Sequence, residues 1–225
     1  MDRNVIITGG AGNLGRVVVE KFKREGYKVI ATIVPDSGDE IEEADDIYEV
    51  DARNEKSVEA FAREYVLQYG EVESLALLVG GYRGGKIEDT SSDLIAEMIS
   101  LNFFSAFNMV KYFLPLMKKA NKGNIFLMSA RSALQPEQGK SAVAYALSKG
   151  LINQFADLIA QDVAGTSIRS HVFIPSIIDT PDNREAMKEA DFSKWVRPGE
   201  IAEAMHFAAM NAALRNVSFK LYGDT

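Results

Sequence analysis

Along the chain, apolar and polar positions switch between two periods. Short apolar or β-branched runs, "NVIIT", "KVIATIV", "IYEVD", "SLALLVG", "NIFLMS" and "RSHVFIP", predict strands. Amphipathic stretches near residues 14–25, 55–69, 91–119 and 143–163 predict helices. Strands alternating with helices imply parallel pairing through helical crossovers, and a run as apolar as "LALLV" belongs in a sheet covered on both sides. The expected fold is therefore α/β, a doubly wound parallel β-sheet flanked by helices on both faces. No repeat and no linker rich in Pro, Gly and Ser divides the chain, so residues 1–225 are expected to form a single domain. The least patterned segment, 176–198, reads as a loop with a short helix or two, in the manner of a substrate lid.

Composition narrows the function. Hydrophobic residues make up 47% and charged residues 25%, an ordinary globular mix. The net charge of -7 disfavours nucleic acid as a partner, since polyanion binding draws on clustered Lys and Arg. Cysteine is absent, which removes disulfides and thiolate zinc sites and fits a reducing compartment; a cytoplasmic protein is expected. No stretch approaches the ~20 apolar residues of a membrane span. The N-terminus runs directly into a strand pattern with no signal-peptide core, so no membrane partner is expected. His171 and His206 lie far apart in strand and helix patterns, and no metal site is expected. The acidic run "GDEIEEADD" reads as solvated surface.

Two stretches carry chemistry. In "ITGGAGNLG", Gly9 and Gly12 supply a tight turn after the first strand, and Gly15 permits close packing of helix on sheet. Free N–H groups at the helix start would meet a diphosphate, and Asn13 is tolerated because Asn accepts a left-handed backbone. The same glycines also suit a plain strand-to-helix turn; their place in the first βα unit favours a dinucleotide. In "YALSK", Tyr145 and Lys149 fall one helical turn apart on one face. A neighbouring ammonium is expected to lower the phenol's pKa and so let Tyr145 exchange a proton with a carbonyl or alcohol oxygen. On that helix Val143, Leu147, Leu151, Phe155 and Leu158 form a stripe that can face the core, and Tyr145, Lys149, Ile152, Ala156 and Ile159 form a second. A helix apolar on two sides fits burial between its own sheet and a partner subunit.

With these motifs in order, the chain resembles a short-chain dehydrogenase/reductase over nearly its full length. "TGGAGNLG" is similar to that family's glycine motif, and "VDARNEKSV" to the acidic turn after the third strand. "LLVGG" stands where the family usually has Asn-Asn-Ala-Gly, and "PSIIDT" replaces Pro-Gly-x-x-x-Thr. The resemblance implies a Rossmann-type domain and NAD or NADP as cofactor. It implies a small-molecule substrate, with hydride transfer between nicotinamide and a carbonyl, imine or quinonoid compound. It assigns the cofactor to Gly9, Gly12, Asn13, Leu14, Gly15, Asp51, Ala52, Gly80, Gly81, Pro175, Ile178 and Thr180, together with Tyr145 and Lys149. Tyr145 would be the general acid/base and Lys149 its electrostatic partner, with Asn102 holding a water in a proton relay. The family's substrate-polarising serine falls on Ser129 if the strand end is aligned and on Ser132 if counted back from Tyr145; Ser129 is preferred because the sheet positions strand ends while loop length varies. A homodimer or homotetramer through the helices at 91–119 and 143–163 is also implied.

Within the family, "GGYRGG" (80–85) and "DTPDNREAMKEADFSKW" (179–195) resemble dihydropteridine reductases, which reduce a quinonoid pterin with NADH and do without the serine. This resemblance places Tyr82 at the substrate; read without it, Tyr82 is an ordinary half-buried loop aromatic and Trp195 a hydrophobic anchor of the lid. Ile33 and Val34 stand where an acidic residue would select NAD or an arginine NADP, so cofactor preference stays open, with Asp36 and Arg16 as the polar groups within reach. A competing expectation is a dinucleotide-binding regulator that has kept the fold and lost catalysis.

Overall fold

The structure is a computed structural model and describes residues 3–224. The chain builds β1 (Asn4–Thr8), α1 (Asn13–Arg24), β2 (Lys28–Ile33), β3 (Asp46–Glu49), α2 (Glu55–Tyr69), β4 (Ser74–Leu77) and α3 (Ser92–Ile99). There follow α4 (Ser105–Ala120), β5 (Gly123–Met128), α5 (Pro136–Gly139), α6 (Val143–Asp162), β6 (Ile168–Pro175), α7 (Pro181–Ala186), α8 (Pro198–Met210) and β7 (Ser218–Leu221). All seven strands pair in parallel in the order β3-β2-β1-β4-β5-β6-β7, the doubly wound Rossmann-type arrangement expected. Strand order reverses between β1 and β4, which opens a crevice beyond the carboxyl ends of those strands.

Period-two alternation divides the core. Ile6, Leu75 and Ile125 point to one face and pack with Phe61, Tyr65, Phe113 and Ile159, under α2, α4 and α6. Val5, Ile7 and Phe126 point to the other and pack with Val18, Phe22, Ile201 and Met205, under α1 and α8. The stretch predicted as one helix at 91–119 is α3 joined to α4 through a π-helical segment, Ser100–Phe104. Segment 176–198 carries α7 and a 3-10 turn at Phe192–Lys194, and Trp195 is buried against Phe192 at 4.8 Å.

The apolar stripes of α6 are arranged the other way round from expectation. Ile152, Ala156 and Ile159 are in the core together with the buried Lys149, whereas Leu147, Leu151 and Leu158 are exposed. Helix α8 and strand β7 were missed. The helix signal was present, with Pro198 at its start and Glu200 three positions into a capping box. β7 is four residues long with alternate positions exposed, too short for its pattern to stand out.

Candidate active site

The glycine-rich turn occupies the crevice. Gly9 has φ +66, a value few side-chain-bearing residues adopt, and a Cβ on Gly15 would collide with the Gly9 carbonyl oxygen. Gly12 is the N-cap of α1 with no side-chain cap, and Gly12 and Asn13 are exposed. The first helical bond is Arg16 N–H to Gly12 C=O, so the N–H groups of Asn13, Leu14 and Gly15 have no partner inside the helix. This uncapped, solvent-open helix start beside a turn with no room for a side chain fits the diphosphate of a dinucleotide. Asn13 is helical rather than left-handed, so the tolerance argued from its side chain is not needed. Its Nδ2 donates to Asp182 Oδ2 at 2.8 Å, linking the turn to α7.

Beyond β4, Gly80 and Gly81 meet the π-helical segment. Asn102 is buried; its Oδ1 accepts from Gly81 N–H at 2.9 Å, and its Nδ2 donates to Gly81 C=O and Ser148 Oγ, each at 3.0 Å. Its side chain is thus committed to bracing the loop. A π-helical insertion at such a place is a frequent mark of a functional site. Ser148 in turn donates to the Tyr145 carbonyl at 2.8 Å. A Cβ on Gly80 would lie 2.6 Å from Asn102 Oδ1 and 3.1 Å from Lys149 Nζ, which places Gly80, Asn102 and Lys149 against one another.

Lys149 is buried, and its ammonium donates to the Met128 carbonyl at 2.9 Å. Burial pulls its pKa down to about 8. The Tyr145 phenol is pushed above its ordinary value by burial and by Tyr82, opposite to the lowering expected from the ammonium. The cost of desolvating a phenolate prevails while the ammonium is engaged by the Met128 carbonyl. The Tyr82 and Tyr145 rings meet edge to face, centroids 5.0 Å apart, and Tyr82 is otherwise exposed.

The two candidate serines differ: one hydroxyl is bonded and the other is enclosed without a partner. Ser129 is buried and its Oγ donates to the Lys149 carbonyl at 3.1 Å. Ser132 Oγ is enclosed with no partner among the described residues. Asp51 is held below the usual carboxylate range by Arg53, which binds both of its oxygens. Asn108, which the sequence reading missed, donates to the carbonyls of Ala52 and Arg53 at 3.0 and 3.1 Å and fixes that turn. Pro175 ends β6, and Ile178 pairs with Val196. Thr180 caps α7 by accepting from Asn183 N–H at 3.3 Å. His171 is buried in β6 away from any metal-binding cluster, and among the described residues no group of His, Asp and Glu is arranged to hold a metal. No helix among them is long and apolar enough to cross a membrane.

Comparison with known proteins gives this cleft its context. The short chain dehydrogenase family model matches residues 3–191. A dihydropteridine reductase of Dictyostelium discoideum is 25% identical over 218 residues, covering 96% of this chain and 91% of that protein. The rat dehydrogenase/reductase SDR family member 6 is 27% identical over 194 residues, 84% of this chain and 77% of its own. The ligand-free aldohexose dehydrogenase of Thermoplasma acidophilum superposes with a TM-score of 0.86 at 27% identity, covering 99% of this chain and 93% of that one. The regulator reading has no support in these relatives, and the chain belongs to the short chain dehydrogenase family, acting as an NAD(P)-dependent oxidoreductase.

Proposed function

We propose that the chain reduces a quinonoid dihydropterin, with Tyr145 as the proton donor. The observation that carries this reading is the Tyr82 ring set edge-on to Tyr145, an exposed aromatic surface beside the phenol that suits a flat heterocycle. The engaged hydroxyl of Ser129 and the enclosed one of Ser132 agree with it, because a quinonoid ring needs no serine to polarise a carbonyl. So does the likeness to the Dictyostelium enzyme.

Nicotinamide, when bound, supplies the hydride. Tyr145 gives its phenolic proton to the substrate nitrogen, and the raised pKa keeps that proton in place until substrate arrives. Lys149, wedged against Gly80, provides positive charge on the same helix face one turn away. Gly9, Gly12, Asn13, Leu14 and Gly15 would hold the diphosphate. Asp51 and Ala52 would border the adenine, and Gly80, Gly81, Pro175, Ile178 and Thr180 would flank the ribose and nicotinamide. Asn102 acts by positioning the Gly80–Gly81 loop.

The exposed Leu147 and Leu158 and the apolar groove between α4 and α6, lined by Phe107, Leu114, Phe155 and Leu158, support a homodimer or homotetramer. The test is NADH and NADPH consumption with quinonoid dihydropterin. Turnover that falls a hundredfold or more in Tyr145→Phe is expected, about the worth of a general acid. Cofactor binding with turnover of aldoses only would discard the pterin and keep the oxidoreductase.

A further inference from the structure

The loop that carries Tyr82 is held at both ends. At its start Asn102 bonds both the N–H and the carbonyl of Gly81. At its end Gly85 forms a one-residue parallel bridge with Ala142: Gly85 N–H donates to the Ser141 carbonyl at 2.8 Å, and the Gly85 carbonyl accepts from Val143 N–H at 2.9 Å. Gly85 has φ +153, a backbone that side-chain-bearing residues rarely adopt. A Cβ there would lie 3.0 Å from Thr90 Oγ1, a hydroxyl already bonded to the Lys86 carbonyl. A Cβ on Gly84 would lie 3.6 Å from both Tyr82 Oη and the Ser141 carbonyl oxygen, so the hydroxyl end of the Tyr82 ring comes back over the same joint.

The other half of the bridge is the start of α6. Ala142 precedes the helix and has no side chain to cap it, and the first N–H groups of a helix have no partner within it. Val143 N–H, the first of them, is met by the Gly85 carbonyl from a distant segment. Tyr145 stands two residues further on, in the same first turn. One residue therefore fastens the loop of one ring and the helical turn of the other, and the two ring centroids lie 5.0 Å apart.

We infer that Gly85 is a positioning residue: its two backbone bonds set the Tyr82 ring against the Tyr145 phenol, so that a flat substrate held by the one meets the proton of the other. The substrate named here rests on the pterin reading; the bridge does not.

Two variants break the bridge from opposite sides. Gly85→Ala drives the backbone away from φ +153, and Val143→Pro deletes the N–H that Gly85 accepts from, at a first helical position where proline is tolerated. Each is assayed with quinonoid dihydropterin and NADH or NADPH, alone and combined with Tyr82→Ala. Both are expected to raise the KM of the pterin about tenfold and to lower kcat severalfold, since a small misplacement of reacting groups is costly. In the Tyr82→Ala background the KM effect should shrink to less than about twofold while the kcat loss persists, because that part passes through Tyr145. Gly165→Ala, also at positive φ (+81) but in the turn after α6, controls for lost stability and should leave KM alone. An unchanged KM in either bridge variant, a KM rise of the same size with and without Tyr82, or the same rise in Gly165→Ala would each overturn the inference. A wild type that does not turn over the pterin removes the pterin reading alone, and hydrogen exchange then decides. Segments 82–86 and 143–146 should exchange together, about tenfold faster in either bridge variant than in the wild type. Acceleration of one segment without the other, or of neither, overturns the inference.

Discussion

The Ser129 hydroxyl donates to the backbone carbonyl of Lys149 across 3.1 Å, fastening the end of β5 to the middle of α6. The residue that strand alignment favours as the substrate-polarising serine therefore has its proton turned toward the helix. Ser129→Ala should keep kcat/KM within about threefold and lower stability by about 1 kcal/mol, the net worth of one buried hydrogen bond. Steady-state kinetics beside urea unfolding checks both numbers. A loss of a hundredfold or more in kcat with unchanged unfolding would return the catalytic role to this hydroxyl.

Gly80 and Gly150 make a matched pair of tests near Lys149. A methyl on Gly80 would press on Asn102 Oδ1 and Lys149 Nζ, whereas a methyl on Gly150 meets nothing within 4 Å. Gly80→Ala should cut kcat by roughly tenfold or more and cost about 1–3 kcal/mol, the usual range for overpacking. Gly150→Ala should leave kcat alone and stabilise the helix by about 0.5–1 kcal/mol. Equal kinetics in the two variants would show that the contact between Gly80 and the lysine is without consequence.

His171 predicts the acid limit of stability. It is fully enclosed between Phe126 and Phe219, its Nδ1 accepts from Val217 N–H at 3.3 Å, and its Nε2 has no partner among the described residues. Burial pulls its pKa down to about 4 from 6.5. Because the folded state holds the proton less tightly than the unfolded chain, nothing is lost above pH 6.5. Stability should then decline as pH falls from 6.5 toward 4, by about 2 kcal/mol at pH 4.5. Urea unfolding at pH 7 and 4.5 should show the decline in the wild type and a smaller one in His171→Asn, where an amide oxygen can still accept from Val217. A decline of equal size in both would assign it to other groups.

The chain's local patterns were sufficient for the first six strands, for α1, α2 and α6, for the span though not the break of α3 and α4, and for the glycine-rich turn, because periodicity and turn chemistry act between residues a few positions apart. The spacing of Tyr145 and Lys149 likewise put them on one helix face without help from the fold. Three matters depended on groups brought together from distant parts of the sequence. One was which apolar stripe of α6 faces inward, decided by the sheet it packs on. Another was the direction of the Ser129 hydroxyl, decided by a carbonyl twenty residues further along. The last was the sign of the phenol's pKa shift, since desolvation is set by everything that encloses the ring and a two-residue motif carries no record of it.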